Sequence, residues 1–230
     1  MTGGSSGIGK AVARELIAEG ARAVLVARDE AKLRGAADEI GAAGWVSCDT
    51  GSDAAVKAMA ARAVEILGGV DILVNCAAQA GGLAPPPKLA EIDDGVFWPD
   101  VNVKVMGYLR CIRELVPHMA AGSRIVNVAG LAARSTGSTV GSIRNVGVAA
   151  LTKNLAQELA PQGIAVVCVH PGTTRIERTP PDLKANNLLG RILDAREVAW
   201  TIAFLCSPRA VAVNGDAVVA GGGSPGSIHY

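Results

Sequence analysis

Six short apolar runs constrain the fold more than any other feature: AVLVAR (23–28), WVSCDT (45–50), DILVNCAA (71–78), RIVNVAG (124–130), AVVCVHPG (165–172) and AVVAGGG (217–223). Each leads into a polar or glycine-rich turn. Between them lie stretches such as KAVARELIAEG, AAVKAMAARAVEILGG and YLRCIRELVPHMAAG, whose apolar residues recur at helical spacing. Near-continuous apolar runs are what strands covered on both faces require, because neither face can afford polar side chains. Strand and helix therefore alternate, which predicts an α/β fold: a doubly wound, Rossmann-type parallel sheet in three αβα layers. Hydrophobic residues make up 50% of the chain but aromatic residues only 3%, so Ala, Val, Leu and Ile must fill the core. No linker interrupts the 230 residues, and a single domain, 1–230, is expected.

The charge balance excludes a class of partners. Lys and Arg number 22 against 21 Asp and Glu, a net charge of +1, which is no footprint for a nucleic acid or an anionic membrane. The apolar runs are too short to span a bilayer, and no signal peptide precedes the first glycines. Cys48, Cys76, Cys111, Cys168 and Cys206 are odd in number and lack CxxC spacing, so reduced core thiols in a cytoplasmic protein are expected, with no metal site.

In an open α/β sheet, ligands bind at the carboxyl ends of the strands. Two loose stretches lie there: 79–95, rich in Gly and Pro, and 173–192, polar and placed to act as a lid over a ligand. The opening MTGGSSGIGKAVARELIAEG spaces Gly3, Gly7 and Gly9 and then enters a helix. Such a turn lets backbone approach a ligand closely, and the free N–H groups at the helix start attract a pyrophosphate. A loop of this kind normally leaves the first, central strand, yet Met1 stands immediately before Thr2. Either that strand lies upstream of Met1, or the neighbouring strands close the gap.

Taken in order, TGGSSGIG, CDTGSDAAV, DILVNCAA, VNVKVMG, RIVNVAG, LTKNLAQELAPQGI and VHPG resemble the short-chain dehydrogenase/reductase family over essentially the whole chain. The resemblance implies NADP or NAD as cofactor and a carbonyl or alcohol as substrate. By it, Thr2, Gly3, Ser5, Ser6, Gly7, Ile8 and Gly9 form the pyrophosphate loop; Asp49 and Thr50 flank the adenine; Asn75 and Ala77 stand in the family's Asn-Asn-Ala-Gly; and Pro171 and Gly172 close the nicotinamide end. Arg28 follows the second strand of the family, where a guanidinium suits a 2′-phosphate, so NADP is preferred over NAD. As alternatives, Arg28 is a solvated strand-end charge, and Asp29 beside it complicates the choice. The family's dimer-forming helices correspond to about 98–120 and 146–160, implying a homodimer or homotetramer.

The family's catalytic Asn, Ser, Tyr and Lys fall on Asn102, Gly130 (Ala129 if the register slips by one), Gly141 and Asn145. Glycine transfers no proton, and an asparagine hydrogen-bonds without changing charge. The family's amide-binding Thr falls on Ile176, with Thr173 and Thr174 displaced. Arg144 stays protonated and suits an oxyanion, not a base. Among remaining groups, His170 at a strand end is the nearest proton carrier, against the alternative that only its backbone matters there. His229 and Tyr230 reach a site only as a docked tail, against a frayed terminus. Two functions follow: an atypical oxidoreductase, or a catalytically inactive dinucleotide-binding pseudoenzyme or partner subunit.

Overall fold

The computed structural model describes residues 1–79 and 85–225. Four parallel strands form the larger sheet: β3 (Ile72–Asn75), β4 (Arg124–Val128), β5 (Ala165–Pro171) and β8 (Ala217–Ala220), side by side in that order. Two more, β1 (Val24–Ala27) and β2 (Gly44–Ser47), pair in parallel as a separate ribbon. Alternation along the strands splits the core into two layers. Leu73, Ile125 and Val166 pack with Val56 and Met59 of α3 (Asp53–Leu67) and with Cys111 and Ile112 of α5 (Gly107–Leu115). Val74, Val126 and Val167 pack on the opposite face with Val12 of α1 (Gly7–Ala18) and Val198 and Ile202 of α7 (Ala195–Cys206). The helix α2 (Glu30–Ile40) covers β1 through Leu33 and Ala37. This is the expected Rossmann-like α/β architecture.

Between β1 and β3 the first residues serve as a fragment of strand. Thr2 bridges Val26 in parallel, the Thr2 N–H donates to the Val74 carbonyl at 3.0 Å, and the Met1 carbonyl accepts from Val26 N–H at 2.8 Å. Below this contact a cavity of about 340 Å³ opens, lined by Leu16, Val24, Met59, Leu73 and Leu115 among others. The Met1 amine lies against it, donating to the Val24 carbonyl at 3.0 Å. Met1 and Thr2 thus stand between β1 and β3 and deliver the glycine loop to the carboxyl end of the sheet.

Two local expectations are corrected. The helix expected over about 146–160 begins at Thr139 and runs to Leu159 (α6), because the Ser138 hydroxyl accepts from Gly141 N–H and caps it. Residues 173–192 are not wholly loose: β6 (Thr174–Arg175) pairs with β7 (Leu193–Asp194), and the Leu188 and Leu189 N–H groups donate to the Gly223 and Gly222 carbonyls. Residues 80–84, part of the loop read over 79–95, and His229 and Tyr230 lie outside the described residues. No described helix is long and apolar enough to cross a membrane.

Candidate functional site

The glycine loop is shaped by close backbone approach. A Cβ on Gly9 would stand 2.2 Å from the Gly3 carbonyl oxygen, and one on Gly3, whose φ is +68°, would stand 2.7 Å from the Cys76 oxygen. Only hydrogen fits either place. Thr2 is buried, and its hydroxyl accepts from the Cys76 and Ala77 N–H groups at 3.1 and 3.3 Å, tying the loop to the end of β3. Ser6 precedes α1 with extended backbone and no capping bond from its side chain, and Ser5 and Ile8 are partly exposed beside it. The first helical N–H, that of Gly7, is taken by the Glu177 carboxylate at 2.9 and 3.2 Å. Lys10 Nζ stands 3.2 Å from the same carboxylate. Burial raises the Glu177 carboxyl, but its N–H bonds and Lys10 outweigh that and hold it below its ordinary value. A carboxylate therefore sits where the helix dipole and free N–H groups favour an anion.

Around the adenine-side positions, Arg28 is exposed and reaches the Gln79 side chain at 3.5 Å. Asp49 is exposed and accepts from Gly51 N–H at 2.9 Å, which shapes its own turn. Thr50 is buried, its hydroxyl donating to the Val103 carbonyl. Asn75 needs correction as a ligand-facing side chain. It is fully buried, donates to Asn127 Oδ1 at 3.0 Å, and Asn127 in turn donates to the Thr152 hydroxyl. Asn75 and Asn127 are register partners on β3 and β4, so the Asn75 amide N–H is paired inside the sheet, while its Oδ1 is buried without a partner.

The nicotinamide-side positions converge in part. Gly141 and Asn145 lie one turn apart in α6, and a Cβ on Gly130 would stand 3.1 Å from Asn145 Nδ2. Asn145 is 2% exposed and its Oδ1 has no partner. A Cβ on Gly141 would come within 2.5 Å of Ser138 Oγ, so this position is packed around hydrogen. Asn102 opens a π-helical turn (Asn102–Met106) and has both side-chain groups engaged, donating to the Gly51 carbonyl at 3.1 Å and accepting from Arg110 at 2.9 Å. Pro171 closes β5, and a Cβ on Gly172 would stand 2.7 Å from Gly221 Cα.

The two expected charge carriers do not serve as read. His170 is 1% exposed, its Nδ1 accepts from Gly130 N–H at 3.4 Å, and burial pushes its pKa down to about 4, aided by the charge of Arg134. It is therefore neutral near pH 7 and has no imidazolium proton to give. Arg144 is paired with the Asp100 carboxylate through Nη1, and its Nε–H is buried without an acceptor. Lys104, which the sequence reading passed over, is 5% exposed and donates to the Ala129 carbonyl at 2.7 Å. Its signal was available: it is the one charge in the otherwise apolar run following Asn102.

A family model described as "Enoyl-(Acyl carrier protein) reductase" matches residues 3–224. The short-chain reductase protein NovJ of Streptomyces niveus is 31% identical, over 98% of this chain and 92% of that one. The chain belongs to the short-chain dehydrogenase/reductase family. Among solved structures of the family, a 3-ketoacyl-(acyl-carrier-protein) reductase from Brucella melitensis complexed with NADH superposes with a TM-score of 0.88, is 33% identical, and matches 96% of this chain and 95% of its own. A short-chain dehydrogenase from Burkholderia cenocepacia J2315 in complex with NADP gives 0.89 at 27% identity, with coverages of 96% and 95%.

The site residues fit such a dinucleotide. The Gly3–Gly9 contact closes the turn with backbone alone, the first N–H of α1 already holds an anionic group, the Glu177 carboxylate, and Asn145 Oδ1 lacks the hydroxyl donor it requires.

Proposed function

We propose that this chain is an NADP(H)-preferring oxidoreductase that interconverts a carbonyl and an alcohol. The observation that carries the reading is the glycine turn, closed to the contact between Gly9 and the Gly3 carbonyl and opening directly on the N-terminus of α1. Gly3, Gly7, Ile8 and Gly9 hold the pyrophosphate, with Ser5 and Ser6 on its rim. Asp49, Thr50 and Ala77 border the adenine half, and Arg28, exposed at the end of β1, pairs with the 2′-phosphate. Asn145 Oδ1 accepts from a ribose hydroxyl, and Pro171 and Gly172 back the nicotinamide. The bound cofactor supplies or accepts the hydride. Residues 173–192 cover the ligand from the side of Glu177.

A second reading, a dinucleotide-binding subunit without turnover, is favoured by one observation: Gly130 and Gly141 carry no side chain, and Asn145 cannot titrate. Apolar side chains on α4 (Asp94–Val101), the π turn and α6, namely Trp98, Met106, Ile143 and Val146, are each 40–58% exposed, which supports a homodimer or homotetramer. Five unpaired cysteines support a reducing compartment such as the cytoplasm.

Fluorescence titration with NADPH and NADH tests the cofactor reading. NADPH is expected to bind more tightly, and Arg28→Asp to reverse the preference by about tenfold or more, because a carboxylate repels the 2′-phosphate and accepts from a ribose hydroxyl. Equal affinities before and after the change would remove Arg28 from the site.

A further inference from the structure

Where β4 ends, at Ala129 and Gly130, the chain gathers several polar groups. Lys104 Nζ donates one proton to the Ala129 carbonyl at 2.7 Å, and its other two protons have no acceptor among the described residues. The adjoining Gly130 lies against Asn145, whose buried Oδ1 has no donor. An ammonium with spare protons calls for an oxygen acceptor, which a carbonyl oxygen or its alcohol provides, while the bare amide oxygen of Asn145 is left to the cofactor's ribose hydroxyl.

Among the described residues, three other proton carriers near this end are engaged or uncharged. The Tyr108 hydroxyl donates to the Val128 carbonyl and burial raises its pKa well above the usual value. His170 is held neutral, and Arg144 is engaged with Asp100. Resting on the oxidoreductase reading above, we propose that Lys104 is the catalytic proton carrier of this site, giving a proton to the oxygen of a bound ketone or aldehyde and recovering it in the reverse direction. In reduction, hydride adds to the carbonyl carbon, the C=O π pair moves to oxygen, and that oxygen takes a proton as one N–H bond of Lys104 breaks. Water reprotonates the resulting amine.

The surroundings of Lys104 suit the task. Its pKa falls from 10.5 to about 8, chiefly through burial and then through the charge of Arg144 on α6, against the opposite pull of Cys76 after β3, Asp100 on α4 and Cys168 on β5. His170 on β5, neutral above about pH 4, adds no charge in the working range. The amine thus changes protonation near neutral pH, as an acid-base catalyst must.

The test uses the full chain, Lys104→Met and Lys104→Arg, with NADPH binding measured by fluorescence and hydride transfer to cyclohexanone, an aryl ketone and an acetoacetyl thioester followed by loss of NADPH absorbance. A labelled-lysine NMR titration of the wild type reads the Lys104 pKa without requiring turnover. Wild-type reduction should fall above about pH 8. Both variants should bind NADPH within about threefold of wild type, lose roughly 100-fold or more in kcat, and lose the pH break. Lys104→Arg keeps the charge and shows whether charge without a transferable proton suffices; if Lys104→Met fails to fold, this variant and the NMR titration decide. The proposal is overturned by either variant keeping the wild-type rate and break, or by a Lys104 pKa in its ordinary range. NADPH binding with no carbonyl reduced also overturns it and leaves the binding reading intact, whereas absence of NADPH binding brings down that reading as well.

Discussion

In protein prepared with Met1 as its first residue, acetylating the Met1 amine should change stability in a pH window that the structure defines. The amine lies beside the cavity between β1 and β3, and its burial lowers its pKa from 8.0 to about 6. A base whose folded pKa lies below its unfolded value binds fewer protons when folded, so stability rises with pH through the interval between them. Below about pH 6 both states are protonated and the penalty is complete; above about pH 8 it is gone. Two pKa units correspond to roughly 2.7 kcal/mol. In a domain of this length that is a difference of about 5–10 °C in Tm. Thermal and urea melts at pH 5.5 and 8.5 (roughly half a unit outside the window on each side) compare free and acetylated protein. Acetylation should stabilise at the lower pH by this amount and by little at the higher one. His170, titrating between about 4 and 6.5, and Lys104, between about 8 and 10.5, also favour higher pH, but they are common to both samples and cancel in the difference. An apolar segment of about six residues joined to Met1 would place a strand in the same cavity, and should raise Tm at both pH values because it adds burial as well as removing the charge. An identical effect of acetylation at the two pH values would refute the buried-amine argument.

Glu177→Gln should tighten NADPH binding by about fivefold, because the carboxylate now on Gly7 N–H and Lys10 competes for the position an anionic ligand takes; unchanged or weaker binding in a fluorescence titration would show that Glu177 does not obstruct the site. Trp98→Glu combined with Val146→Glu should lower the mass measured by light scattering, since both side chains are half exposed or more on adjoining helices; a mass equal to that of wild type would place any interface elsewhere.

The alternation of apolar runs with amphipathic helices determined the class of fold, because a strand covered on both faces and a helix covered on one leave different periodicities. The glycine spacing at 3, 7 and 9 was legible for a related reason: at Gly3 and Gly9 backbone touches backbone and at Gly7 φ is +55°, and both exclude a Cβ, which is written in residue type. Side-chain direction was not legible. Asn75 looked like a ligand residue by its place in DILVNCAA, yet a parallel register with β4 sets it opposite Asn127, to which its buried amide N–H donates. The environment of a titrating group is likewise a sum over distant segments. His170 was read as a proton carrier from its place at a strand end, but packing buries it and removes its charge. Lys104 stood in plain view in VNVKVMG, but its surroundings depend on Ala129 and Arg144, which lie 25 or more residues away and come near it only after the sheet and α6 have assembled. Local pattern follows from the chain's own geometry, whereas desolvation and hydrogen-bond partnership depend on which segments arrive at the same place, and only tertiary packing decides that.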